Sequence, residues 1–175
     1  MGSFKINYRY SNKKSLETSI AKYPKETGPF TITSTTAYIS IIIDGKLVEG
    51  AHWESSNFSE LATTSTWLWD FCLQLTSGVI KINDRKLHKL LLIDDPTILT
   101  FVREYGVVNI TASAGHTPSQ TKVPYSEFMH EIFLFVNSFV SDLLSINQKI
   151  LEDNQFKQIV EGRDKIKKML EEANK

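Results

Sequence analysis

The chain has 175 residues, of which 41% are apolar, so it can bury one substantial core but has little room for two domains. Twenty Lys and Arg residues balance twenty Asp and Glu residues, so no net charge steers the protein toward nucleic acid or an anionic membrane. The single cysteine, Cys72, excludes an intrachain disulfide and fits a reducing compartment.

The first part of the chain predicts a strand, a connection and a hairpin. Phe4 to Tyr10 alternates apolar or aromatic side chains with polar ones, which predicts a strand with one wet face. Ser11 to Pro29 is polar and is interpreted as a connection that could hold a short helix. Ala37 to Ile43 is rich in isoleucine and predicts a second strand. Asp44-Gly45 then suits the positive φ angles of a two-residue hairpin turn.

A helix is predicted after this hairpin. Asn57 and Glu60 have the spacing of a capping box, in which each side chain satisfies a backbone amide of the first turn. Apolar residues then recur at helical spacing from Leu61 to Leu75. The sequence Thr76-Ser77-Gly78 is expected to end the helix.

Further strands are predicted beyond this point. Val79 to Ile82 and Lys86 to Ile93 are expected to form a second hairpin. Ile98 to Arg103 and Val107 to Ala112 flank Glu104-Tyr105-Gly106 and are expected to form a third.

The last part of the chain predicts a loop and a long apolar helix. Gly115 to Pro124 is interpreted as the loop, and the helix begins at Tyr125. The apolar period continues past Asp153-Asn154, and the sequence leaves open whether this segment is one helix or two. Polar residues interrupt the apolar run Ile132 to Ile146, which is expected to fall short of a bilayer span and predicts a soluble protein.

Together these elements predict an α+β fold. An antiparallel meandering sheet would carry two long amphipathic helices on one face, with a C-terminal helical extension. Residues 1–153 would form a single domain. Residues 154–175 would form an amphipathic helix that either packs back on this domain or binds a partner.

No pattern in the sequence predicts a cofactor or a bound metal. The glycines form no phosphate-binding loop, the histidines lack zinc spacing, and there is no nucleophile elbow. His116 lies among hydroxyl groups and could act as a base, so an enzyme using His116 is one hypothesis. Tyr8 and Tyr10 alternate with basic residues, but alternation places rings and cations on opposite faces and argues against a nucleic-acid platform.

Between roughly Thr36 and Leu151, several features occur in a fixed order. They are the hairpin turn Asp44-Gly45, a helix holding Leu61 and Trp67, the strand Ile98-Leu99-Thr100-Phe101, and a closing helix begun near Glu127-Phe128. This order resembles small bacterial proteins of uncharacterised or immunity type. The resemblance implies a cytoplasmic protein that binds and neutralises a cognate toxin and has no catalytic residues.

The preferred hypothesis is therefore a non-enzymatic protein-binding module, in which an acidic middle segment faces a partner with a basic surface. Thr31 to Ile80 carries one basic and five acidic residues, whereas Met1 to Phe30 carries six basic and two acidic ones. Trp67 is expected in the core and Trp69 at the surface, because they lie two residues apart on one helix. The candidate contact residues are Trp69, Glu49, Glu54, Glu60 and Asp70.

The alternative hypothesis is an assembly subunit that forms oligomers through its C-terminal helix. The apolar stripe of this helix would dock on a second copy or on another chain, or it would pack back on its own domain. The candidate contacts on this stripe are Phe156, Ile159, Ile166 and Met169. No nucleic-acid or membrane partner is expected.

Overall fold

The computed structural model of the chain describes residues 1–24, 35–48, 63–85, 87–91, 96–113 and 118–173. The strands are β1 (Phe4–Tyr10), β2 (Thr36–Ile43), β3 (Lys46–Leu47), β4 (Thr64–Trp67), β5 (Leu87–Leu91), β6 (Ile98–Glu104), β7 (Val107–Ser113) and β8 (Ser119–Pro124). The helices are α1 (Lys13–Ala21), α2 (Leu68–Arg85), α3 (Tyr125–Ile146) and α4 (Asn154–Ala173), with a 3-10 turn at Gln148–Glu152.

These strands form two antiparallel sheets of four strands each. In the first sheet β2 is central, with β1 on one side and β3 and β4 on the other. The second sheet has the order β5-β6-β7-β8. The Gly2 N–H donates to the Lys122 carbonyl at 3.0 Å and joins the start of β1 to β8. The predicted α+β fold is confirmed, and its strands are divided between two sheets instead of forming one meander.

The predicted hairpin between β2 and β3 is confirmed. Asp44 and Gly45 have φ angles of 52° and 77°, as a turn with positive φ at both central residues requires. The Asp44 carboxylate also accepts hydrogen bonds from the Ser3 N–H at 2.7 Å and the Thr121 hydroxyl at 2.9 Å. The turn therefore holds the beginning of β1 and the strand β8 together.

The predicted helix between Leu61 and Leu75 is partly wrong. Thr64–Trp67 is the strand β4, which pairs with β2, and α2 begins only at Leu68. Trp67 and Trp69 consequently exchange their expected environments, since Trp67 is 39% exposed and Trp69 packs half-buried against the core. The proposed capping residues Asn57 and Glu60 lie outside the described residues.

The expected stop at Thr76-Ser77-Gly78 is wrong, because α2 continues to Arg85. The Thr76 hydroxyl donates to the Cys72 carbonyl at 3.0 Å, so it bonds within the helix and does not end it. At Gly78 a Cβ atom would lie 2.6 Å from Cδ2 of His88. The absence of a side chain at this position therefore lets β5 lie close to α2. Val79 to Ile82, predicted as a strand, therefore lies inside α2, and the second hairpin does not form.

The loop predicted at Gly115 to Pro124 is also wrong over its second half. Ser119–Pro124 is the strand β8, whose alternating side chains are buried at Thr121 and Val123. Two buried positions separated by one exposed residue are a short signal, and pairing with β7 decides the conformation.

The C-terminal segment forms two helices. Asn147 is extended and ends α3, and the 3-10 turn leads to Asp153, whose Oδ1 accepts the N–H groups of Gln155 and Phe156 at 2.8 and 2.9 Å. Helix α4 then packs against α2 and α3. A Cβ atom on Gly162 would lie 2.9 Å from Thr76, which marks the closest approach of α4 to α2.

One hydrophobic core joins the sheets and the helices. Rings from β1 and β6 meet α3, where Phe128 lies 5.9 Å from Phe4 and 4.9 Å from Phe101 between ring centroids. Helices α2 and α3 meet through Phe71 and Phe135 at 5.5 Å. Within the described residues, α3 is the one helix that is long and apolar enough by composition to cross a membrane, although the apolar run alone was expected to be too short. Nine of its residues are buried in this core.

Candidate functional site

The structure describes two of the five predicted contact residues in the acidic segment. Asp70 lies in the first turn of α2 and accepts a hydrogen bond from the Gln74 amide at 2.6 Å. Trp69, predicted as an exposed anchor, is half-buried. The remaining predicted residues, Glu49, Glu54, Glu60 and the proposed base His116, lie outside the described residues.

The C-terminal contact residues are placed in the interior of the chain itself. Phe156, Ile159 and Ile166 have no exposed surface, and Met169 packs half-buried against the core. In this conformation the apolar stripe of α4 packs back on α2 and α3, so these three fully buried side chains cannot contact a partner.

A groove of about 470 Å³ lies on another part of the molecule, between β1 and α3. Its walls are the strand on one side and one face of the helix on the other, with the start of α1 at one end. The lining residues are Ile6, Asn7, Tyr8, Arg9, Tyr10, Lys13, Glu131, Leu134, Phe135, Ser138 and Asp142.

Two tyrosines and one carboxylate organise the floor of this groove. The phenol groups of Tyr8 and Tyr10 both donate to Oδ2 of Asp142, at 3.0 and 2.9 Å. Tyr8 also contacts the Ser138 hydroxyl at 3.2 Å, and its ring packs edge-on against Phe135 with 5.2 Å between centroids. These contacts fix the side-chain positions before any ligand arrives.

The two phenols are held in their protonated form. Burial raises the pKa of Tyr8 to about 12, and the negative charge of Asp142 acts in the same direction. Burial, followed by the contact with Tyr8, raises the pKa of Tyr10 as well. At neutral pH the groove therefore presents neutral phenols whose protons are donated to Asp142, and a protonated phenol is a weak base and a weak nucleophile.

At the other end of the groove, α3 contacts the main chain of β1. The Ile6 N–H donates to Oε1 of Glu131 at 3.1 Å. Between the two carboxylates lies Leu134, whose side chain is 48% exposed although α3 is otherwise a core helix. The groove thus combines a rigid polar floor with one accessible apolar contact.

The alternating pattern of β1 singles out Tyr8 and Tyr10, but not the residues of α3 that they contact. The sequence of α3 nevertheless carries a signal for its polar residues. Glu131, Ser138 and Asp142 are spaced seven and four residues apart, so they share one face of an otherwise apolar helix. A polar stripe of this kind beside buried aromatics predicts a contact with another element.

Within the described part of the chain, no group of three or more His, Cys, Asp or Glu side chains converges in a way that could hold a metal ion. The chain matches no protein-family model, no curated protein and no solved structure. A functional proposal therefore depends on the groove itself.

Proposed function

We propose that the protein is a non-enzymatic protein-binding module and that the groove between β1 and α3 is its contact surface. The observation that carries the proposal is the pre-arranged floor, in which Asp142 holds Tyr8 and Tyr10 in place. A surface whose side chains are already fixed loses little conformational entropy on binding, and this favours recognition of a partner. Its acid and hydroxyl groups are occupied by one another, which favours binding over catalysis.

The size and composition of the groove support the same function. A volume of about 470 Å³ accommodates a few side chains of a partner. Leu134 offers exposed apolar surface in its lining, and the polar groups of the lining give directionality. Tyrosine is also a residue type that is enriched where proteins bind one another.

Leu134→Asp tests the proposal, with Leu87→Asp as the matched control. Both leucines are 48% exposed, so both variants should fold, but Leu87 lies on β5 and does not line the groove. A library of short random peptides is displayed and selected on the wild-type protein, and the affinity of each selected peptide is measured on both variants. We expect selected peptides to bind the control as they bind the wild type and to lose about tenfold or more in affinity on Leu134→Asp. Selected peptides that bind both variants equally would refute the groove as the contact surface.

The immunity function implied by the resemblance stays a prediction of the same class. The groove supports it only in that an immunity protein must bind another protein, and its test is protection of cells that express a toxin encoded beside this chain. Unchanged killing in the presence of the protein would exclude that role. The enzyme hypothesis stays a prediction too, and it requires an activity that His116→Ala removes.

A further inference from the structure

Strand β1 lies at the edge of its sheet, and the register shows which of its main-chain groups point outward. Ile6 is paired with Ile41, yet Ile41 donates its N–H to Thr63 Oγ1 and accepts from the Val48 N–H, both on the side away from β1. The Ile6–Ile41 pair is therefore a non-hydrogen-bonded pair, and the Ile6 N–H points to the free edge, where it meets Glu131.

The same alternation applies to the rest of β1. Tyr8 and Tyr10 lie two and four residues after Ile6, and main-chain groups alternate in direction along a strand. Their N–H and C=O groups therefore also point to the free edge. Gly2 lies four residues before Ile6 and points the same way, and its N–H is bonded to the Lys122 carbonyl of β8. In the part of the chain that the structure describes, β2 is the only strand paired along β1, and the edge at Tyr8 and Tyr10 faces the groove.

Strand β5, at the edge of the second sheet, shows how a side chain from a neighbouring helix can satisfy such groups. On β5 the Gln74 side chain bonds both main-chain groups of Leu91, donating to its carbonyl at 2.9 Å and accepting its N–H at 3.2 Å. Glu131 provides an equivalent contact for one group of Ile6. Tyr8 and Tyr10 are the next two outward-facing residues of β1, and their main-chain groups can bond an extended segment.

The charges beside this edge select among extended segments. Glu131 and Asp142 lie on one face of α3, eleven residues or about 16 Å apart, and within the described residues neither forms an ion pair. The lining also holds two cations, and both have other partners: Lys13 lies 3.9 Å from Glu17, and the Arg9 guanidinium lies 5.3 Å from the centre of the Tyr38 ring. A second copy pairing antiparallel about Tyr8 would bring Glu131 of each molecule toward Asp142 of the other, and like charges would repel. A segment that carries Lys or Arg meets these carboxylates favourably.

The geometry points to strand addition: an extended segment of the partner, bearing basic side chains, pairs with the free edge of β1 at Tyr8 and Tyr10 and packs over Leu134. This inference rests on the proposed function, since it names the kind of partner that the groove receives. The main chain of the segment supplies the hydrogen bonds, and alternate side chains contact α3.

The test uses peptides selected on the wild-type protein and shown to depend on Leu134. Each is resynthesised with a single N-methyl group, moved along the peptide one residue at a time. Strand addition predicts a period of two, because only alternate amides face β1. Methylation at those positions should weaken binding about tenfold or more, whereas methylation at the intervening positions should have little effect. Bound peptide should also slow hydrogen exchange of the Tyr8 and Tyr10 amides.

Glu131→Gln tests the preference for basic side chains. The amide oxygen of glutamine can still accept the Ile6 N–H, so the variant removes the charge and keeps the contact. We expect selected peptides to be rich in Lys and Arg and to bind this variant several-fold more weakly at low salt, with a smaller difference at high salt. Glu127→Gln, on the first turn of α3 and outside the groove, is the control.

The outcomes separate the two proposals. Peptides that depend on Leu134 without a period of two would overturn strand addition and leave the groove as a contact surface. Peptides that all ignore Leu134 would overturn the groove itself. A concentration-dependent dimer that selected peptides disperse would show that a second copy occupies the edge, which would also overturn the inference of a basic partner segment.

Discussion

The tyrosine and aspartate contacts on the floor of the groove predict a loss of stability at alkaline pH. The folded protein raises the pKa of Tyr8 from 10.0 to about 12, mainly through burial and further through the charge of Asp142. A raised pKa means that the folded state holds the phenolic proton more tightly than the unfolded chain does. This contribution is fully present below pH 10.0 and is lost as the pH rises toward 12.

The size of the effect follows from the shift. Each pKa unit corresponds to about 1.4 kcal/mol, so the interval from 10.0 to about 12 sets an upper limit near 2.7 kcal/mol. Tyr8 is only partly buried, and solvent screening reduces this limit to about 1 to 1.5 kcal/mol. Tyr8→Phe removes the titrating group but keeps the ring that packs on Phe135.

Urea unfolding just below pH 10 and near pH 12 measures this difference. The free energy of unfolding should fall by about 1 to 1.5 kcal/mol more in the wild type than in Tyr8→Phe over this interval. Tyr105→Phe is the control, because its side chain is fully exposed at the turn between β6 and β7 and removing its hydroxyl should leave the alkaline loss unchanged. Equal losses in wild type and Tyr8→Phe would refute the buried, hydrogen-bonded position of this phenol.

Three further changes test contacts in other parts of the fold. Phe156→Ala should lower the free energy of unfolding by about 3 to 5 kcal/mol, because this ring is fully buried, and a loss below about 1 kcal/mol in urea unfolding would contradict the docking of α4. Gly162→Ala adds about 1 kcal/mol of helix propensity but places a Cβ atom 2.9 Å from Thr76, which costs about 1 to 3 kcal/mol. Thermal unfolding should therefore show a net destabilisation. A stabilised variant would refute the close approach of α4 to α2. The Ser3 amide and then the Thr121 hydroxyl lower the pKa of Asp44 below 3.8, so its contribution is present above pH 3.8 and is lost as the pH falls further. Asp44→Asn should therefore flatten the acid dependence of the urea midpoint in that range, and an unchanged acid dependence would mean that these contacts are not made in solution.

Local patterns in the sequence were sufficient where the structure itself is local. The hairpin at Asp44-Gly45 needs only two residues that accept positive φ and two flanking strands, and all of these are adjacent in the chain. Helix α3 was equally predictable from Tyr125 onward, because its apolar residues repeat over 22 residues. In both places neighbouring residues carry the whole signal.

The errors occurred where distant pairing decides the conformation. Thr64–Trp67 continues a helical pattern in sequence, yet it becomes a strand because β2 offers a partner edge. Gly78 resembles a helix end, yet it lies inside α2, where the missing side chain leaves room for His88 of β5. The floor of the groove was the hardest part to predict, since Tyr8 and Asp142 are separated by 134 residues and only the folded chain brings them together.

Side chains from neighbouring helices bond main-chain groups at two strand edges of this fold. An open strand edge favours aggregation, and Gln74 of α2 bonds both main-chain groups of Leu91 on β5. Glu131 of α3 bonds Ile6 on β1, and Tyr8 and Tyr10 line the groove together with Glu131 and Asp142. These two charges make pairing between copies unfavourable and make pairing with a basic segment favourable. Protection against self-association and selection of a partner therefore depend on the same atoms, so a change that neutralises them should weaken both properties together.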